Sequence, residues 1–344
     1  MNYEPMRPKD YYEFGTAWHA AMEAWYNPKL WDVKDGGPEQ EARHAFHATN
    51  ASQQKQLEEF GYGGPDLDEE FNQRHDLGQG MLNYFFGWSR LHDDFEPITV
   101  EHEFEVPILV PKDYVALDPF LVNDVGQLWW YDGTGHTIQV FYQGRIDGLV
   151  RDFGGNYWIL EHKTASKEGG TNWLAMEPQT GSYIHSFQKM LDVPILGVIR
   201  TVAYKRVAGR PRALKDGSVS TDKRQSTTAG LFLEAVQEAY PFQPAHQTIA
   251  DTPKYLDYHS FLANPDVAPK FVERQQLQRN EDEIENIGRE IAMDAEDMLS
   301  NPNITRSVSP MNCNPCPFYG PCLAKWENKD WKIIIESEFV KRDG

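Results

Sequence analysis

Two short segments constrain the fold of this chain more than any other feature. The first is Gly144-Arg145-Ile146-Asp147-Gly148, the second Ile159-Leu160-Glu161-His162-Lys163-Thr164, with Phe153-Gly154-Gly155-Asn156 between them. From Ile138 to Val150, residues Ile138, Val140, Tyr142, Ile146 and Val150 share one parity, whereas Gln139, Gln143, Arg145 and Asp147 share the other. Period-two alternation predicts a strand with one face on a core and one toward a site. The Gly-Gly-Asn stretch accepts the positive φ of a tight hairpin turn. On the second predicted strand, about Tyr157 to Thr164, Glu161 and Lys163 point to one face and His162 to the other. Antiparallel pairing through the turn then brings Asp147 beside Glu161.

Adjacent carboxylates repel unless a cation lies between them, and a hard divalent ion with oxygen ligands is the natural occupant. Such an ion lowers the pKa of bound water and neutralises charge on a phosphate oxygen. Lys163 is placed to orient or deprotonate that water, or to act as a point charge. The same residues also suit a structural aspartate beside a surface Glu–Lys pair.

Asp147 followed by Glu161-x-Lys163 resembles the PD-(D/E)xK nuclease superfamily, in particular its RecB/AddB-like branch, which includes CRISPR-associated and phage nucleases. Gly15-Thr16-Ala17-Trp18-His19 resembles that branch's helical Gly-x-x-x-His motif. Gln179-Thr180-Gly181-Ser182-Tyr183 resembles its Gln-x-x-x-Tyr motif, and Val100-Glu101-His102-Glu103-Phe104-Glu105-Val106 its core-opening strand. Cys313-x2-Cys316-x5-Cys322 resembles the C-terminal cysteine trio of iron–sulfur members. These features occur in family order and span residues 15 to 322.

The resemblance implies a Mg²⁺- or Mn²⁺-dependent deoxyribonuclease in which His19, Asp147 and Glu161 hold the metal. Lys163 assists the water or the phosphate, and Gln179 and Tyr183 support the substrate or the lysine. An imidazole ligand favours Mn²⁺ over Mg²⁺. His19 also suits a packed core histidine beside Trp18, Met22 and Trp25. Glu103 is a candidate extra acidic group, or a solvated strand glutamate. The implied substrate is DNA, at ends or single strands, in recombination, replication or phage DNA processing, with a helicase or recombinase as a compatible partner. A non-cutting DNA-end-binding or assembly subunit, and an endonuclease within an adaptation or packaging complex, are the competing readings.

All three cysteines fall within ten residues, a clustering that points to a metal or cluster in a reducing compartment. The family's fourth cysteine has no counterpart near Met6-Arg7-Pro8, so three readings stay open. They are a [4Fe–4S] cluster with another fourth ligand, a three-iron or zinc site, and a loop without metal.

Net charge is −19, unfavourable for a phosphate-binding surface. Between Arg200 and Arg224, however, eight Lys or Arg face only Asp216 and Asp222, a segment that suits a flexible loop tracking a DNA backbone or a solvated surface. Trp129-Trp130-Tyr131 suits either base stacking or packing of a β-extension. No run reaches the ~18 apolar residues of a membrane span, and no leader opens the chain, so a cytoplasmic protein is expected, in host cytoplasm if phage-encoded. The expected class is α/β (α+β): a restriction-endonuclease-like core with a central mixed sheet flanked by helices. Residues 1–95 form a helical cap, 96–210 the nuclease core and 211–344 a C-terminal helical region with the cysteine loop. A helix is expected over Trp173–Leu191, an acidic amphipathic helix over Glu281–Asp297, and irregular connection from Pro244 to Pro269.

Overall fold

The computed structural model describes residues 3–6, 10–31, 37–167, 177–300, 309, 313 and 316–341. A short strand β1 (Tyr3–Pro5) precedes helices α1 (Asp10–Tyr26), α2 (Gly37–Glu59) and α3 (Pro65–His92). Strand β2 (Phe95–Pro107) leads to a small sheet of β3 (Phe120–Val122), β4 (Leu128–Tyr131) and β5 (Thr137–Gln139). Then come β6 (Phe141–Asp152), β7 (Tyr157–Ala165), α4 (Pro178–Leu191) and β8 (Ile195–Tyr204). Helices α5 (Ala229–Ala239), α6 (Ala245–Asp251) and α7 (Pro253–Ala263) precede β9 (Val272–Gln278). The chain continues through α8 (Glu281–Ser300), α9 (Tyr319–Trp326), α10 (Trp331–Glu338) and β10 (Phe339–Lys341), which pairs with β1.

The main sheet runs β2-β6-β7-β8-β9 and is mixed: β7 and β8 are parallel, the other pairs antiparallel. A parallel pair needs a crossover, and α4 supplies it. Its first turn is capped by Glu177, which accepts the Thr180 amide at 3.2 Å, and Pro178 sits where a missing N–H is harmless. The helix expected from Trp173 therefore begins at Pro178, and residues 168–176 lie outside the described set. One sheet face packs on α1, α2 and α3 through Trp18, Trp25, Phe46, Phe85, Val150 and Leu160. The other packs on α4 and α8 through Phe104, Ile146, Leu149, Ile159, Phe187 and Ile284. The mixed sheet between helical layers agrees with the class expected from the sequence.

Three local expectations change. The strand read from Ile138 to Val150 is two elements, because β5 pairs with β4 in the small sheet before the chain enters β6. The Pro244–Pro269 stretch holds two helices. Pro244 and Pro253 mark the helix starts, while Tyr255, Tyr258 and Leu262 bury one face of α7 in a separate core with Phe232 and Val236. On α8 the buried line is Ile284, Gly288, Ala292 and Glu296, with Ile287 and Ile291 flanking it and Met298 exposed. The region after residue 211 also returns β9 to the main sheet.

Candidate metal centre and active-site cleft

The β6–β7 turn is set by Asp152, whose carboxylate accepts from the Asn156 amide at 2.8 Å and from Trp158 Nε1 at 2.9 Å. Gly155 takes the left-handed φ of +86° that the turn demands. From there β6 and β7 pair from Arg151–Tyr157 to Gly148–Leu160. At the next position Asp147 Oδ2 accepts from the His162 amide at 2.6 Å. A side chain thus takes an amide beyond the end of the backbone ladder, and the strands part at this carboxylate.

Residues an even number apart in a regular strand share a face. Val150 nevertheless packs on the α1 side and Ile146 on the α4 side. On β2, Val100 joins the α1-side core, whereas His102 meets the Phe187 ring of α4. Both strands therefore turn over between these residues, at Asp147 and at Glu101. Glu101 has a φ of +45°, rare for a residue with a side chain.

This double turn-over completes a cluster with α1. Ligand atoms of His19, Glu101 and Asp147 all lie within 4.8 Å of one another. His19 Nδ1 is 3.2 Å from Asp147 Oδ1, and Arg145 Nε is 2.9 Å from Glu101 Oε2. Glu161, only 2% exposed, is ion-paired with Lys163. Gln179 Nε2 donates to Tyr183 Oη at 2.8 Å, and both line the same cleft of about 690 Å³ with His19, Asp147, Glu161 and Lys163.

The electrostatics are those of carboxylates in excess. Burial, then the charge of Asp147, pushes Glu161 up to about 7 against the opposing pull of Lys163. Burial and Asp147 likewise raise Glu101. Burial also opposes the charge on Asp147, but the hydrogen bond and charge of His19, together with the hydrogen bond and charge of His162, outweigh it and hold the carboxyl below its usual range. For Lys163, burial is outweighed by Glu161, which keeps the ammonium charged to higher pH. A divalent cation offsets such crowding, and a donor set of two carboxylates with one imidazole suits Mg²⁺ or, better, Mn²⁺.

The structure thus brings His19, Asp147, Glu161, Lys163, Gln179 and Tyr183 to one cleft. A family model described as the PD-(D/E)XK nuclease superfamily matches residues 3–322. The chain belongs to that superfamily. Membership accounts for the restriction-endonuclease-like sheet and suggests a metal-dependent nuclease with DNA as its substrate. A search among curated proteins gives no match. No helix among the described residues is long and apolar enough to cross a membrane.

Sequence reasoning missed Glu101. Glu101, Glu103 and Glu105 share a parity, and Glu103 drew attention, but it is exposed and lines a neighbouring groove with Gln143 and Arg145. Only the φ of +45° carries Glu101 to His19 and Asp147, and no residue type announces that conformation. Cys313, Cys316 and Cys322 are half-buried. Among the described residues they do not form a set of potential ligands within 4.8 Å. Several cations of the basic segment are paired with carboxylates at the surface: Arg210 with Glu234 and Glu238, Lys223 with Asp257, and Arg224 with Asp222. Trp130 packs against the core under the small sheet, beside Phe120 and Leu128.

Proposed function

We propose that the chain is a RecB-like, Mg²⁺/Mn²⁺-dependent exonuclease that hydrolyses phosphodiester bonds at DNA ends or along single strands. The observation that carries this reading is the convergence of His19, Glu101 and Asp147 beside the Glu161–Lys163 pair in one open cleft. His19, Asp147 and Glu161 are the assigned metal ligands, and Glu101 joins them. When bound, the metal supplies Lewis-acid stabilisation of phosphate charge and a more acidic water. Lys163, held by Glu161, presents its ammonium to the water or the phosphate. Gln179 and Tyr183 form one hydrogen-bonded unit on the cleft wall, placed to contact the DNA backbone or steady the lysine.

The same reading assigns residues 1–95 to the helical region presenting His19, 96–210 to the nuclease core and 211–344 to the C-terminal region. It places the enzyme in the cytoplasm, in recombination, replication or phage DNA processing, with a helicase or recombinase to confer processivity. Cys313, Cys316 and Cys322 are assigned to an iron–sulfur cluster that staples the C-terminal segment.

The test is digestion of end-labelled linear duplex, single-stranded and circular DNA by anaerobically purified protein in Mg²⁺, Mn²⁺ or EDTA, with Lys163→Ala as control. Metal-dependent loss of linear DNA alone, absent in the variant, is expected. Nicking of circles would favour an endonuclease, and binding of ends without cutting would favour an assembly subunit. Brown colour and iron content of the same preparation test the cluster, and a colourless, metal-free protein would overturn it.

A further inference from the structure

The carboxylate of Asp147 is fixed through one donor on each oxygen, His19 on Oδ1 and the His162 amide on Oδ2. The amide's direction depends on how residue 162 is held, and its side chain is held unusually well. The His162 ring is 2% exposed and lies stacked on Tyr26, with centroids 5.2 Å apart and planes 18° apart. Its Nδ1 is buried without a hydrogen-bond partner, so the ring is retained by the stack rather than by polar bonds at that atom.

Tyr26 is in turn anchored by charge. Its hydroxyl donates to Asp93 Oδ2 at 3.0 Å, and Asp93 Oδ1 pairs with Arg274 Nη1 at 2.6 Å. Arg274 lies over the Trp88 ring at 4.8 Å and the Phe95 ring at 5.1 Å, and its Nε donates to Thr201 Oγ1 at 3.2 Å. Thr201 is the β8 residue in register with His162. The contacts close a circuit: Tyr26, Asp93, Arg274, Thr201, His162 and Tyr26 again. Helix α1, strands β8 and β9 and the α3–β2 connection thus converge on one peptide of the site strand, on the sheet face opposite Glu161 and Lys163.

We infer that Tyr26 is a positioning residue for the metal centre: its anchored ring fixes the His162 peptide, and that peptide orients Asp147 toward the ion. The inference rests on the metal centre proposed above. Groups that orient a metal ligand from behind typically change metal affinity by about 10- to 100-fold when removed. Tyr26 also belongs to the core, so a purely structural role must be separated from this one.

Mn²⁺ binding to the full chain is measured by electron paramagnetic resonance and calorimetry, alongside thermal unfolding and DNA cleavage. Tyr26→Leu, which removes the stack, is expected to weaken Mn²⁺ binding by about 10-fold or more and to lower kcat with KM for DNA little changed. Tyr26→Phe keeps the stacked ring and loses its hydroxyl anchor, so it should weaken Mn²⁺ binding measurably but by less than Tyr26→Leu does. Arg74→Met, a destabilised control whose partners Glu13 and Glu70 lie outside the circuit, should leave Mn²⁺ affinity unchanged. Wild-type affinity in Tyr26→Leu, or an equal loss in the Arg74→Met control, overturns the inference. If Tyr26→Leu does not fold, His162→Ala reads the same contact, and unchanged affinity there has the same force. Wild-type protein that binds no Mn²⁺ defeats both the metal centre and this inference, whereas one that binds Mn²⁺ but cuts no DNA defeats the nuclease reading alone.

Discussion

Arg74 is buried and Asp147 partly buried, but the surroundings of these two ionisable groups differ in kind. Arg74 meets Glu13 at 2.7 Å and Glu70 at 2.6 Å, with its guanidinium over Phe71. Arg274 and Asp93 repeat the pattern under a roof of aromatic rings. In the cleft, by contrast, the carboxylates of Glu101, Asp147 and Glu161 crowd together. Their charged or chargeable neighbours are His19, Arg145 and Lys163, and Arg145 is 60% exposed. Burial with matched partners holds helices together, and removing one partner leaves the other uncompensated. Burial with an excess of one sign raises the energy of the metal-free state and leaves room for a cation. The contrast separates architecture from chemistry without reference to any relative.

The largest effect should come from the crowded cluster. Asp147→Asn keeps the side chain's shape and an acceptor for the His162 amide but removes the charge. Cleavage of end-labelled DNA should fall by about 10³-fold or more, while Tm in EDTA changes little, because the lost pairing with His19 offsets the relief of Glu101 and Glu161. A fall of many degrees in EDTA would show that Asp147 is needed for the fold rather than for the ion. The matched pair should behave in the opposite way. Arg74→Met removes a matched cation from the buried Glu13 carboxylate and should cost about 3–5 kcal/mol in urea unfolding, with Mn²⁺ affinity untouched. A small stability loss there would erase the contrast.

Legibility in the sequence follows the same division. The hairpin carrying Asp147, Glu161 and Lys163 was readable because strand-forming residues and a Gly-Gly-Asn turn are local signals, but the single alternation read from Ile138 to Val150 breaks, with Ile146 and Val150 on opposite faces. Gln179 and Tyr183 were readable because four residues make one helical turn, and the structure joins them by a hydrogen bond. His19 could be tied to the hairpin only through family order, since its meeting with Asp147 depends on how α1 crosses the sheet. Glu101 was hidden for a stronger reason. In a regular strand its parity is that of Glu103 and Glu105, and the turn-over that separates them arises from pairing between β2 and β6. Prolines at 244 and 253 were misleading because a proline in a loop and one opening a helix look alike until Tyr255, Tyr258 and Leu262 have a core to enter.

Glu101 offers a sharper test because its backbone and its side chain pull apart. A side chain in the left-handed region costs about 1–2 kcal/mol, which glycine does not incur. Glu101→Gly should therefore gain up to about 1 kcal/mol of stability in EDTA while weakening Mn²⁺ binding. Loss of stability together with unchanged Mn²⁺ affinity would remove Glu101 from the centre and assign its φ to packing alone.

The smallest expected effect lies at the hairpin turn, where Asp152 is a well-matched acid at the surface. Hydrogen bonds from Trp158 and Asn156 lower its pKa to about 2, against about 3.9 for an unfolded aspartate. A depressed carboxyl stabilises the fold above the unfolded value, and that contribution is lost as pH falls through the folded value. Between those values the unfolded chain takes up the proton first. Stability of the wild type should therefore decline from about pH 4 toward pH 2 more steeply than that of Asp152→Asn, which has no such proton to bind. Parallel curves for the two proteins would show that the turn is held by Gly155 and the strand ladder, with the carboxylate a bystander. A steeper wild-type curve with unchanged Mn²⁺ binding at neutral pH would place Asp152 with Arg74, among the charges that build the hairpin rather than those that await the ion.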